Sequence, residues 1–288
     1  MSLISRSCTP KPAYTCGNAS TSIFQRPIVT LLAAVILILM TSGRCSASPK
    51  PSSIAILGDS MTWIGGQECD CPDSYTYYLK RAGIADTLMI FARSGATWTN
   101  DSTTTVNPKG YTEVLDSDNV IYNQALRLLE YCQSHKQPDK IIIYAGANDA
   151  WFGDRRPGLN VISSSFPELD PASTLPSTMT TLQNSIFLTV ELLRRDLPQA
   201  EIILVTPVEM GKVETEKVTE VADIIERTGN MLGVPVLRAD RFVPIRHEEE
   251  TEGNLKNTKD GVHTNPEGAK LIADFLTTCL KNETIYNR

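Results

Sequence analysis

Histidine is scarce: three residues, His135, His247 and His263, occur in 288. No second Cys or His pair stands at zinc-ligand spacing, so no metal is expected, and no other cofactor either. Basic charge is also short, with 27 Lys and Arg against 33 Asp and Glu. Four of the basic residues (Arg6, Lys11, Arg26, Arg44) fall in the first 47 positions, which hold no acidic residue. The remainder therefore carries 23 basic residues against 33 acidic ones, a poor match for nucleic acid, which needs a basic surface to displace counterions. There is one long apolar run, which excludes a transmembrane bundle, and there is no internal repeat or long low-complexity tract. What remains is ordinary globular material, 41% hydrophobic and 21% charged, long enough for one domain with a full core.

The apolar run, Ile28–Met40, is thirteen residues without a charge, preceded by Arg26 and followed by small residues. A membrane-spanning helix needs about 20 apolar residues, so this length suits the core of a signal peptide. Cys45-Ser46-Ala47 supplies small residues for cleavage near Ala47. The expected organisation is a signal peptide over 1–47, a Pro/Ser linker over 48–53 and a folded domain over 54–288. The protein is then exported, periplasmic or extracellular, with no stable membrane span after cleavage. An uncleaved anchor and a lipid anchor at Cys45 are the alternatives, and Arg44 stands where the latter wants a small residue. Four cysteines survive cleavage: Cys69, Cys71, Cys132 and Cys279. Export makes disulfides chemically feasible. Cys132 and Cys279, on apolar helix faces, read as buried free thiols, and Cys69 and Cys71 are too close to bridge each other comfortably.

Beyond the linker, short apolar runs alternate with helical stripes. Ile54–Leu57, Leu88–Ala92, Ile141–Tyr144, Ile202–Val205 and Val234–Leu237 read as buried parallel strands. Ile121, Ala125, Leu128 and Cys132 share one helical face, as do Leu182, Ile186, Val190 and Leu193, and then Val218, Val221, Ile225 and Leu232. Asn265 and Pro266 mark the start of a last helix bearing Leu271, Ile272, Phe275 and Cys279. This alternation predicts a flavodoxin-like three-layer α/β/α sandwich around a five-stranded parallel sheet, order 2-1-3-4-5. Three stretches are too long for plain connections: Gly95–Asn119, Ala150–Ser177 and Asp240–Thr264. All three leave carboxyl ends of strands, where open α/β sheets bind ligands.

Four motifs sit at those same ends. They are Gly58-Asp59-Ser60, Ser94-Gly95, Gly146-Ala147-Asn148-Asp149 and Asp260-Gly261-Val262-His263. Together they resemble the SGNH hydrolase superfamily, also called GDSL hydrolases, named for a Ser, a Gly, an Asn and a His in four blocks. The matching positions are Ser60, Gly95, Asn148 and His263, in family order, with Met61 where the family often has Leu. The resemblance runs from Ile56 to the final helix and implies a serine esterase. A serine hydroxyl is a weak nucleophile and needs a base, a task for His263, with Asp260 holding the imidazole. The oxyanion formed on attack needs donors, for which the backbone N–H groups of Ser60 and Gly95 and the amide of Asn148 are suited.

His135, at a polar helix end, and His247, beside Glu248-Glu249-Glu250, read as surface residues. Asp59 and Asp149 read as loop-stabilising. Trp63, Trp98 and Trp151 follow motif residues on loops, where aromatics line pockets or stack on sugars. Arg93, Arg155 and Arg156 read as solvated. The leading expectation is an exported esterase on a small-molecule or glycan ester, carbohydrate O-acetyl groups first. The alternatives are a lipid or aryl esterase of the same fold and a non-catalytic glycan-binding protein on a hydrolase scaffold. A trypsin-like protease is excluded by the strand–helix alternation. An α/β-hydrolase elbow is excluded by Thr62, where that motif ends in glycine.

Overall fold

The computed structural model describes residues 51–155 and 161–282. The expected leader over 1–47 and Arg156 lie outside the described residues. Five strands form one sheet: β1 (Ser53–Gly58), β2 (Thr87–Ile90), β3 (Lys140–Tyr144), β4 (Glu201–Val205) and β5 (Val236–Leu237). Every pairing is parallel and the order is β2-β1-β3-β4-β5, as the pattern of runs predicts. β1 is central enough to pair on both sides, Ile54 facing Leu88 of β2 and Lys140 of β3.

Successive side chains of a strand point to opposite faces, so each apolar run feeds two cores. Ala55, Leu57, Ile141, Ile143 and Leu204 pack against α3 (Ile121–Cys132), α5 (Leu182–Asp196) and α6 (Thr215–Leu232). Ile54, Ile56, Ile142, Tyr144 and Ile203 pack against α2 (Tyr75–Arg81) and α8 (Pro266–Lys281). Three short helices complete the set: α1 (Ser60–Trp63), α4 (Ala147–Trp151) and α7 (Ala239–Phe242). α8 begins as its sequence predicts, with Asn265 accepting from the Gly268 N–H at 3.0 Å and Pro266 at the first position.

Two strands differ from the expected runs. The fifth starts at Val236 rather than Val234, because Pro235 has no N–H and the Val234 N–H goes to the Gly229 carbonyl at 2.8 Å. The second ends at Ile90 as a strand, but its ladder continues: Phe91 N–H donates to Ile56 O at 2.8 Å and Arg93 N–H to Gly58 O at 3.1 Å. Those bonds carry the segment after β2 alongside the end of β1.

All four described cysteines are free, Cys69 and Cys279 buried, Cys71 and Cys132 half-buried. Among the described residues, no helix is long and apolar enough to cross a membrane.

Candidate active site

β1 runs into α1 through Gly58 and Asp59. A β-carbon on Gly58 would press on the Tyr144 carbonyl oxygen and the Thr62 hydroxyl, so only glycine permits this close turn. The Asp59 carboxylate caps α1, accepting from the Met61 N–H at 3.0 Å. Burial pushes Asp59 up to about 7, with the nearby Asp149 adding to the shift against the backbone hydrogen bonds it accepts. Ser60 is thereby the first residue of a short helix, buried apart from a small exposed surface.

The loop before α8 brings up the other two polar groups. His263 Nε2 lies 3.0 Å from Ser60 Oγ, across 203 positions of sequence. His263 Nδ1 lies 2.8 Å from Asp260 Oδ2, while Asp260 Oδ1 accepts from the backbone N–H groups of His263 (2.8 Å) and Val262 (3.0 Å). Burial alone would raise the Asp260 carboxyl, but the His263 ring and these backbone donors outweigh it and hold it at about 2. A charged carboxylate therefore faces the imidazole across the whole neutral range.

Asn148 and Gly95 sit at the carboxyl ends of β3 and β2, on either side of β1. Asn148 Nδ2 donates one hydrogen to Ala96 O at 2.8 Å, which leaves the second N–H of the amide for another acceptor. Gly95 has φ +75°, and a β-carbon there would meet the Val114 carbonyl carbon. Asp149 clamps this loop to α4: its oxygens accept from the N–H groups of Trp98 and Thr99, each at 2.9 Å, and from the Thr99 hydroxyl at 2.6 Å. Asp59 and Asp149 thus both brace loops, as the sequence suggests.

Other expectations change. Trp98 has no exposed surface and packs in the core beside Ala96 and Ile121, so it cannot contact a substrate. It follows a motif, but the Asp149 clamp on its own N–H pulls it inward. Trp63 and Trp151 are half-buried, Trp63 beside the Arg93 guanidinium and Trp151 stacked on Phe152 at 5.0 Å. His135 is exposed, as its polar helix end suggests, and stacked on Tyr131. His247 is not a free surface residue: its Nδ1 lies 2.8 Å from Met210 O and 3.0 Å from Val213 O.

Two residues that the sequence reading left aside prove central to the architecture. Gln124, on the buried face of α3, holds both polar groups of Gly58: its Oε1 accepts from Gly58 N and its Nε2 donates to Gly58 O, each at 2.8 Å. Its signal was a polar residue inside an apolar helical stripe. Glu250 is 1% exposed and accepts from the N–H and side chains of Asn257 and Thr258 at 2.7–3.0 Å. Nothing in an acidic triplet distinguishes the one member that is buried. Among the described residues, no group of three or more His, Cys, Asp or Glu side chains could hold a metal ion.

A family model described as GDSL-like lipase/acylhydrolase matches residues 54–276. Among solved structures, a Lactobacillus plantarum protein superposes with a TM-score of 0.55 at 17% identity, covering 80% of this chain and 97% of that one. A candidate GDSL-like lipase from Bacteroides uniformis gives 0.52 at 15% identity, covering 82% and 96%. The aryl esterase of M. smegmatis gives 0.51 at 19% identity, covering 80% and 99%. At these identities the likeness is one of fold. A search of curated proteins finds no match.

Proposed function

The chain belongs to the GDSL-like lipase/acylhydrolase family, and on that premise we propose that it is a serine esterase working through an acyl-enzyme. Ser60 Oγ attacks the ester carbonyl as His263 Nε2 takes its proton. Asp260, ionised at every working pH, keeps the proton of the ring on Nδ1 and stabilises the imidazolium that forms. The oxyanion takes hydrogen bonds from the N–H groups of Ser60 and Gly95 and from the free N–H of the Asn148 amide. His263 returns the proton to the departing alcohol. Water, activated by the same imidazole, then frees the acid and restores Ser60.

One observation carries this reading: the unbroken chain of hydrogen bonds from Ser60 through His263 to Asp260. A scaffold kept only for binding has no use for a base aimed at a hydroxyl, so the chain also weighs against a non-catalytic role. The substrate class we propose is an O-acetyl ester on carbohydrate. An export leader over 1–47 would place the enzyme among extracytoplasmic glycans, and Trp63 and Trp151 are still available to a sugar. N-terminal sequencing of the mature protein tests the leader.

The chemistry is tested with p-nitrophenyl acetate and acetylated oligosaccharides. Ser60→Ala abolishes turnover and fluorophosphonate labelling, and Asn148→Ala lowers kcat by about 10²–10³ with KM nearly constant. Equal rates for wild type and Ser60→Ala would remove Ser60 from the mechanism.

A further inference from the structure

A cavity of about 660 Å³ lies against the edge strand β2 and helix α3, and the proposed steps make no use of it. Its lining includes Arg93, Arg127, Lys109, Phe91 and Tyr131. Arg93 belongs to the segment that joins β2 to Gly95, and its N–H donates to Gly58 O, two residues before Ser60. Its guanidinium is held between two aromatic rings, 4.6 Å from the Trp63 centroid and 4.8 Å from that of Tyr111. Trp63 is the last residue of α1, the helix that Ser60 opens. The cavity therefore adjoins the segment that leads to Gly95, and through Arg93 it is in contact with the helix that carries Ser60.

Both arginines have donor capacity to spare. Arg93 Nη1 donates to Ala92 O at 2.7 Å, and Arg127 Nη1 makes long bonds to Pro108 O (3.2 Å) and Gly110 O (3.4 Å). The Nε of each is buried with no hydrogen-bond partner. Among the described residues, neither guanidinium forms an ion pair, although ion pairs are common elsewhere on the chain. Three carboxylates are near, none in an ion pair with either arginine: Glu113 bonds the Tyr111 hydroxyl and its charge reaches Arg93, while Glu130, 3.8 Å from Lys109, and the exposed Glu68 belong to the cavity wall. Burial, and then repulsion from Arg93, bring Arg127 down to about 10, so the two cations oppose each other. A planar guanidinium fork matches an oxyanion in two parallel hydrogen bonds.

We propose that this cavity is an anion subsite, in which Arg93 and Arg127 bind an oxyanion group (carboxylate or phosphate) carried by the ester substrate. The proposal rests on the serine-esterase reading for its orientation. An acetyl group cannot bear such a charge, so the anion belongs to the alcohol portion, such as an acidic sugar.

The test compares three matched esters: 4-acetoxybenzoate, 4-acetoxyphenyl phosphate and the neutral 4-acetoxybenzamide. Wild type favours an anionic ester in kcat/KM by roughly tenfold or more, the yield of one charge-assisted hydrogen-bonded pair. The arm that gains more tells carboxylate from phosphate. Arg127→Met removes most of that preference, measured against the neutral ester in the same variant, and Arg93→Gln serves where Arg127→Met fails to fold. Equal kcat/KM for all three esters in wild type overturns the subsite, as does a preference that survives both substitutions. If no ester is turned over, the esterase reading fails instead. The subsite is then judged by calorimetry with 4-hydroxybenzoate and phenyl phosphate: binding lost in Arg127→Met upholds it, and no binding to wild type overturns it.

Discussion

Removing the buried carboxylate of Glu250 should disable His263 from a distance. Glu250 Oε2 accepts from Thr258 N at 2.9 Å and Thr258 Oγ1 at 2.7 Å, and Oε1 accepts from Asn257 N at 2.9 Å and Asn257 Nδ2 at 2.8 Å. The Thr258 hydroxyl in turn accepts from Gly261 N at 3.1 Å, and Lys259 N donates to His263 O at 2.8 Å. One carboxylate thus anchors the turn that presents Asp260 and His263. Glu250→Ala strands two buried backbone N–H groups at about 1–3 kcal/mol each, so it costs roughly 2–6 kcal/mol of stability. That is a large share of the ~5–15 kcal/mol typical of a domain. Glu250→Gln keeps one acceptor oxygen but turns an NH₂ group towards donors, so it costs about half as much. Because productive geometry tolerates little displacement, the fluorophosphonate labelling rate of folded Glu250→Gln falls by roughly 10–100-fold. Urea unfolding and labelling of Ser60 are measured on the same preparation. A Glu250→Gln protein with the wild-type midpoint and labelling rate would refute the anchoring argument.

Gly95→Ala forces a β-carbon into φ +75°, against the Val114 carbonyl carbon, at a cost of about 1–2 kcal/mol for the backbone conformation alone. The Gly95 N–H is displaced with it, so kcat for p-nitrophenyl acetate drops while KM holds, and an unchanged kcat would take that N–H out of the oxyanion site. Asp59 gives a pH signature: its carboxyl is raised to about 7 in the fold against about 3.9 in the unfolded chain. Between those values the unfolded chain loses the proton and the fold keeps it, so stability falls as pH rises from about 4 to 7, by up to ~4 kcal/mol. Asp59→Asn keeps the acceptor for Met61 N and flattens the profile; identical urea midpoints for the two proteins at pH 5 and pH 8 would contradict the buried protonated acid.

The sheet was legible because parallel strands covered on both faces are continuous apolar runs, and Ile54–Leu57, Ile141–Tyr144 and Ile202–Val205 are such runs. The reading faltered where apolarity and hydrogen bonding part company, as at Val234, which is buried but outside the strand ladder. Ser60, Asp260 and His263 stood out because the proposed esterolysis demands their types, and they meet in the fold, Ser60 just after β1 and the Asp260–His263 turn just before α8. Gln124 and Glu250 were not, since their partners are chosen in three dimensions, Gly58 lying 66 positions from Gln124. Trp98 misled for the same reason: its loop position is visible in sequence, and the inward pull of Asp149 is not.

Two carboxylates are candidates for the orienting acid of the proposed mechanism, and position in sequence favours Asp59. Asp59 adjoins Ser60, while Asp260 is 200 residues away. Their environments separate them. Asp59 is sealed in the core and spends an oxygen on the Met61 N–H, and burial leaves it half-protonated near neutral pH, a weak partner for an imidazolium. Asp260 is part-exposed, is given two backbone N–H groups by its own turn, and is held at about 2, so its charge is secure and its second oxygen is free for His263 Nδ1. A histidine that must become a cation during reaction needs a fixed negative charge more than a near neighbour. The three-residue turn from Asp260 to His263 supplies that charge with the ring already in place, so in the proposed mechanism the acid and the base share one loop and the nucleophile stands on another.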